Sequence, residues 1–132
     1  MSEAVQNAVV STGKGKNIVL WVLQVLAAGM FLFAGSLKLS GAAPMVALFN
    51  TIGVGQWFRY VTGAIEVGSA VLLLVPGLAA FGAALMLCTM IGAVLTHLAI
   101  VHTSPAIPLV LLVAVAVILW GRREQIAERF GL

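Results

Sequence analysis

Glu66 is an acidic side chain in the middle of a long apolar stretch, where a carboxyl group could accept or relay protons. Between residues 18 and 120 the formally charged side chains are Lys38, Arg59 and Glu66. A charge at the centre of a membrane helix costs about 2.5–3.5 kcal/mol on insertion scales, so such groups usually pair or carry function. The sequence therefore leaves two interpretations open for Glu66: a binding or proton-handling group, or half of a buried ion pair. It also leaves the protonation state of the carboxyl group open.

Four other polar residues are predicted to accompany Glu66 in a ligand-binding site. Side chains on a helix lean toward its N-terminus, so the expected helix directions point Lys38, Glu66 and His97 into one pocket in the outer half of the membrane. At a rise of about 1.5 Å per residue along each predicted helix, Thr89 lies at about the same depth in the membrane as Glu66. Arg59 leans toward the outer headgroups, within reach of Glu66 as an alternative partner. Glu66 is the candidate proton-handling residue, and any catalytic role is left open.

The remaining polar residues have structural interpretations. Gln24 and Thr96 are predicted as structural polar residues, with Gln24 forming a hydrogen bond between helices. Cys88 is interpreted as a small core residue, and a single cysteine excludes an internal disulfide and a Cys-x-x-Cys redox motif. His102 is predicted to lie exposed in a loop. No metal site and no intrinsic cofactor are predicted.

The elements that position these residues are predicted to be membrane-spanning helices. The chain is 62% hydrophobic and 8% charged, whereas a soluble domain carries about 25% charged residues. Spans of about 20 apolar residues are predicted at 18–37, 57–75, 78–101 and 105–120. A short interfacial helix is predicted within the first extracytoplasmic loop, residues 39–56. The fold class is therefore an all-α, four-transmembrane-helix bundle, whose main partner is the lipid bilayer.

The distribution of charge predicts the orientation of this bundle. Five basic residues flank the first and last spans on one side, which predicts cytoplasmic termini: Lys14, Lys16, Arg122, Arg123 and Arg129. The predicted organisation is a disordered cytoplasmic segment at 1–16, a membrane domain at 17–121 and a charged cytoplasmic tail at 122–132. Because the basic residues report topology, nucleic-acid binding is excluded. The predicted location is the bacterial inner membrane.

Three segments of the sequence together resemble the DoxX-like family of small membrane proteins. They are FAGSLKL at 33–39, GAIEVG at 63–68 and MIGAVLTH at 90–97. The resemblance implies a four-helix membrane bundle with a recurrent lysine, glutamate and histidine, which correspond here to Lys38, Glu66 and His97. Family members are associated with thiosulfate:quinone oxidoreductase subunits, methylamine-utilisation maturation and membrane redox complexes.

The resemblance and the polar pocket together predict a function connected with membrane redox chemistry. The first hypothesis is an accessory subunit of a membrane oxidoreductase system that binds a quinone or similar amphipathic molecule. Its partner would be a membrane or periplasmic redox subunit, and self-association is left open. The alternatives are an assembly factor or membrane chaperone without turnover, and a small proton-coupled transporter that uses Glu66. The sequence does not decide whether the protein is an enzyme.

Overall fold

Helices form all the regular secondary structure of this chain that the structure describes. The computed structural model describes residues 2–131, with the side chains of residues 2–6 and 13–131. The helices are α1 (Glu3–Ser40), α2 (Ala43–Ile52), α3 (Gln56–Leu74), α4 (Ala79–Thr96), α5 (Ala106–Gly121) and α6 (Arg123–Arg129), and a π-helical segment, His97–Val101, directly continues α4. No strand occurs among residues 2–131, so the predicted all-α class is confirmed.

Three of the helical segments are long and apolar enough to cross a membrane. They are Gly13–Ser40, Gln56–Leu74 and Ala79–Val101. A fourth follows if α5 is counted together with α6, from which it is separated by a bend of 51°. The four predicted spans overlap α1, α3, α4 with its π-helical continuation, and α5.

The N-terminal segment is helical from Glu3, whereas the sequence predicts disorder for residues 1–16. Ser2 caps this helix, because its hydroxyl oxygen accepts a hydrogen bond from the backbone N–H of Val5 at 3.3 Å. Glu3 in the first turn is also favourable for the helix dipole. The polar composition that suggests disorder is equally compatible with a solvent-exposed extension of a long helix. Met1 and Leu132 lie outside the described residues.

The packed core lies at one end of the helix assembly, which we call the closed end. Contacts join α1 to α3, α3 to α4, α4 to α5, and α5 back to α1. The fully buried core side chains include Phe31, Leu73, Met86 and Ile118. At the opposite end, around Lys38, Glu66 and His97, the same helices leave a cavity, and we call this the open end.

At the closed end, side-chain hydrogen bonds satisfy backbone groups at the ends of helices. Gln24, which is 1% exposed, donates from Nε2 to the carbonyl of Leu73 at 2.8 Å. Its Oε1 accepts from Nε of Arg122 at 2.8 Å, so α1, α3 and the α5–α6 junction are joined at one point. Gln125 Oε1 accepts from the backbone N–H of Ala80 at 3.0 Å. Both backbone groups belong to helix ends, where they lack intrahelical partners.

A close approach of α1 and α3 depends on two glycines, Gly35 and Gly63. A Cβ atom on Gly35 would lie 2.9 Å from the carbonyl oxygen of Gly63 and 2.7 Å from Val67 Cγ2. A Cβ atom on Gly63 would lie 3.0 Å from Lys38 Cβ. Small residues allow backbones of membrane helices to approach in this way. The approach brings Lys38 on α1 within reach of Glu66 on α3.

Candidate functional site

The open end of the helix assembly contains a largely apolar cavity of about 850 Å³. Side chains of α1, α3, α4 and α5 form its walls, and α2 covers it. The polar side chains that line it come from four parts of the chain: Lys38, Thr62, Glu66, Thr89, Thr96, His97 and Ser104. Its volume falls within the range of about 300–1,000 Å³ that is typical of small-molecule sites.

An ion pair between Lys38 and Glu66 lies in the wall of this cavity. Lys38 Nζ is 2.9 Å from Glu66 Oε1, and it donates a hydrogen bond to Oε2 at 3.2 Å. The Lys38 side chain is 13% exposed and the Glu66 side chain 4% exposed. A lysine ammonium group has three N–H donors, so one remains after both carboxylate oxygens are engaged. Of the two partners that the sequence left open for Glu66, the structure selects Lys38.

Arg59 does not line the cavity, whereas the sequence predicts a ligand-binding role for it. This residue is 5% exposed; its Nε donates to Gln56 Oε1 at 2.7 Å and its Nη1 to the carbonyl of Lys38. Its guanidinium also lies over the ring of Tyr60, 4.3 Å from the centroid. An arginine can satisfy several oxygen acceptors at once because its donors form a rigid fork. Arg59 therefore fastens the C-terminal end of α1 to the start of α3.

Helix α2 covers the cavity and is held to the start of α3. Gln56 Nε2 donates to the carbonyl of Val46 at 3.0 Å and to Asn50 Oδ1 at 2.8 Å. The side chain of Phe49, on α2, is buried and makes an edge-to-face contact with the ring of Phe58. The two ring centroids are 5.9 Å apart. Gly53 caps the C-terminal end of the helix, and its positive φ of 82° suits a residue without a Cβ atom. This helix is the apolar element that the sequence predicts within the first long connection.

His97 is the first residue of the π-helical segment that continues α4, and its side chain lines the cavity. Its Nδ1 lies 2.6 Å from Thr103 Oγ1, and its carbonyl accepts from the Thr103 backbone N–H at 2.9 Å. His102, which is exposed as predicted, has a φ of 56° and ends the π-helical segment. The structure therefore places the three predicted residues Lys38, Glu66 and His97 around one cavity.

The two threonines of α4 line the cavity but bond only within their own helix among the described residues. The hydroxyl group of Thr89 donates to the carbonyl of Leu85 at 2.9 Å, and that of Thr96 donates to the carbonyl of Gly92 at 2.8 Å. Thr89 thus lies at the cavity, where the sequence predicts a ligand-binding role, and Thr96, which is predicted as a structural polar residue, also lines it. Helix α4 packs through a stripe of small and flexible residues: Ala79, Ala80, Gly82, Ala83, Met86 and Met90.

Cys88 is exposed and lines the cavity, so its interpretation as a core residue is wrong. Apolar residues lie on several sides of this part of α4, including Leu85, Met86 and Leu87, so the sequence does not show which face of the helix is packed. The sequence predicts helix α2 but does not count its residues among the site residues, and it does not identify Thr103 as a partner of His97. Thr103 follows a π-helical turn, and the extra residue of that turn cannot be read from a periodicity of 3.6 residues.

A comparison with models of protein families gives a match for this chain. The model of the DoxX-like family matches residues 22–119 of this chain. The matched region contains the helices that form the cavity, including Lys38, Glu66 and His97. No curated protein and no solved structure matches the chain significantly.

Proposed function

This chain belongs to the DoxX-like family, and we propose that it is an accessory, quinone-binding subunit of a membrane oxidoreductase system. In this proposal α1, α3, α4 and α5 span the bacterial inner membrane as a four-helix bundle. Helix α2, which covers the cavity, lies in the outer interface, and both termini are cytoplasmic. The basic residues Arg122 and Arg123 at the closed end support this orientation, since positive charge is enriched on the cytoplasmic side.

The observation that carries the proposal is the hollow open end with an ion pair in its wall. A cavity of about 850 Å³ whose lining is mostly apolar suits an amphipathic molecule with a small polar headgroup. The apolar lining from Phe31, Met90 and Leu111 would contact the tail or ring faces of such a molecule. The remaining N–H of Lys38 would donate to a headgroup carbonyl, and the ion pair with Glu66 holds that ammonium group in place.

Glu66 has a second role in this proposal, in proton transfer. Reduction of a quinone to a quinol takes up two electrons and two protons. The electrons would come from a membrane or periplasmic redox partner subunit, and protons would pass through the Glu66 carboxylate to the headgroup oxygen. Glu66 would first take up a proton as its contact with Lys38 opens, and would then donate this proton, as the neutral carboxylic acid, to a headgroup oxygen within hydrogen-bond reach.

A proton-coupled transporter is the second candidate function, and the buried pair gives it specific support. A substrate that displaces Lys38 from Glu66 would leave a buried carboxylate without its cation, which favours proton uptake by that carboxylate. Such a transporter predicts pH-dependent substrate binding that disappears in Glu66→Gln. An assembly factor without turnover predicts that no small molecule occupies the cavity.

Native mass spectrometry of the protein extracted from its own membrane tests the proposal. The wild-type chain should release a bound quinone, and Glu66→Gln should release much less while remaining folded. Glu124→Gln is the matched control, because it makes the same chemical change at an exposed residue of α6. Absence of quinone from the wild-type protein, or equal quinone content in Glu66→Gln, would contradict the proposal.

A further inference from the structure

The cavity reaches the outer surface of the helix assembly on the side where α3 and α4 face each other. Three residues of α4 line the cavity and are also exposed: Leu85, which is 41% exposed, Cys88 and Gly92. Thr62 and Ile65 line it from α3 and are half-buried. A residue that borders a cavity and is also exposed lies where the cavity meets the exterior. We call the part of the wall formed by these five residues the side opening.

Helices α3 and α4 are tightly packed at the closed end and separate toward the open end. A Cβ atom on Gly82 would lie 2.7 Å from the carbonyl oxygen of Ser69, on α3. Thr89 follows Gly82 by about two helical turns and lies on nearly the same face of α4, but it lines the cavity. A Cβ atom on Gly92, almost one turn further, would meet no described atom within 4 Å. The separation of the two helices therefore produces the side opening.

The surface of the side opening suits hydrocarbon. None of its five side chains carries a charge. The hydroxyl group of Thr62 donates to the carbonyl of Phe58 at 2.8 Å, within its own helix, so it does not require a partner from the opening. Polar groups that are satisfied within their own helix are compatible with lipid. By contrast, the outer end of the cavity is covered by α2, through Met45, Leu48 and Phe49 among others.

We propose that the side opening holds the apolar tail of the ligand, with the headgroup at Lys38 and the tail extending between α3 and α4 into the bilayer. This inference rests on the proposed function and defines its ligand further, as a molecule with a long apolar tail that is taken from the lipid. The polar pair and the apolar opening lie in different parts of one cavity wall, as the two halves of such a molecule require.

A nitroxide on Cys88, the single cysteine of the chain, reports the surroundings of the side opening without any ligand. The full chain in lipid nanodiscs is examined by EPR power saturation with oxygen, which concentrates in lipid, and with a nickel chelate, which stays in water. Ala64→Cys in a Cys88→Ser chain is the reference, because Ala64 is exposed on α3 and does not line the cavity. Both labels should collide often with oxygen and rarely with nickel. Frequent collisions of the Cys88 label with nickel, or rare collisions with both, would overturn the inference.

Comparison of two quinones tests the position of the tail. The wild-type chain should bind decylubiquinone at least about tenfold more tightly than dimethoxymethylbenzoquinone, its headgroup without the tail, at equal concentrations in the bilayer. Gly92→Phe places a ring in the side opening, so it should remove most of this preference and change binding of the tailless quinone by less than about twofold. Gly68→Phe is the matched control, since Gly68 is exposed on α3 with open space around it and lies outside the cavity. Equal losses for both quinones in Gly92→Phe, or no loss, would contradict the inference.

Two other outcomes separate this inference from its alternatives. Ile107, at the start of α5, also lines the cavity and is 69% exposed, so it marks a second point where a tail could leave. Loss of the tail preference in Ile107→Phe and not in Gly92→Phe would move the tail there and overturn the inference. A wild-type chain that binds neither quinone would refute the proposed function, whereas binding of both with equal affinity would refute only the role of the side opening.

Discussion

Separating Lys38 from Glu66 should destabilise the fold, and removing both charges should restore most of the stability. Breaking a fully buried ion pair by removing one partner costs about 3–5 kcal/mol. The Lys38 side chain is 13% exposed and faces a cavity, so we expect a smaller cost, about 2–4 kcal/mol. Lys38→Met and Glu66→Gln each leave one charged group without its partner. The double variant leaves neither, and should lie within about 1 kcal/mol of the wild type.

A double-mutant cycle measures the interaction free energy between Lys38 and Glu66. Single hydrogen bonds between membrane helices contribute about 0.6 kcal/mol on average in such cycles. An ion pair with both carboxylate oxygens engaged should exceed this value. Single costs of about 2–4 kcal/mol each, with a double variant within about 1 kcal/mol of the wild type, correspond to a coupling of at least about 3 kcal/mol. The free energy of unfolding is measured by SDS titration of protein in micelles, followed by far-UV circular dichroism. Glu124→Gln, at an exposed position, should change it by less than about 0.5 kcal/mol. Additive effects of the two single variants would refute the reasoning.

Three further predictions concern other parts of the structure. Gly35→Ala should cost about 1–3 kcal/mol of unfolding free energy through overpacking against α3. Gly29→Ala, on the same helix with open space around it, should be neutral or stabilising by up to about 1 kcal/mol; equal effects would contradict the close approach of α1 and α3. Gln24→Leu should cost about 1–3 kcal/mol in the same assay, because it leaves two hydrogen-bonding groups unpaired, and a neutral effect would contradict the bonds at the closed end. Alkylation of Cys88 by N-ethylmaleimide, followed by mass spectrometry, should slow in proportion to occupancy by decylubiquinone, and an unchanged rate would place the ligand elsewhere.

The sequence was sufficient to predict the polar centre of the candidate site. Lys38 and Glu66 stand out because charge is rare in the apolar region, and the lean of helical side chains directs both into one pocket. The direction of the third predicted span, 78–101, predicts that the side chain of His97 leans into the same pocket. These predictions depend on the period of the α-helix and on the cost of charge in lipid, which are both local properties of the sequence.

Features that depend on packing between helices could not be predicted in the same way. Arg59 points to the carbonyl of Lys38 because α1 ends there, and nothing near Arg59 in the sequence indicates this. Cys88 faces the cavity because Met86 and Met90 take the packed face of α4, and apolar residues on all sides of a membrane helix conceal that choice. Thr103 meets His97 only because a π-helical turn intervenes.

Binding of decylubiquinone to a variant with a filled cavity tests the central claim most directly. Ala34 lines the cavity on α1, and Ala64 lies on the exposed face of α3, outside the cavity. Equilibrium binding to the full chain in lipid nanodiscs should show about one molecule per wild-type chain, and Ala34→Phe should weaken binding at least about tenfold. Ala64→Phe should bind like the wild type. Failure of the wild-type protein to bind, or equal binding by Ala34→Phe, would contradict the account.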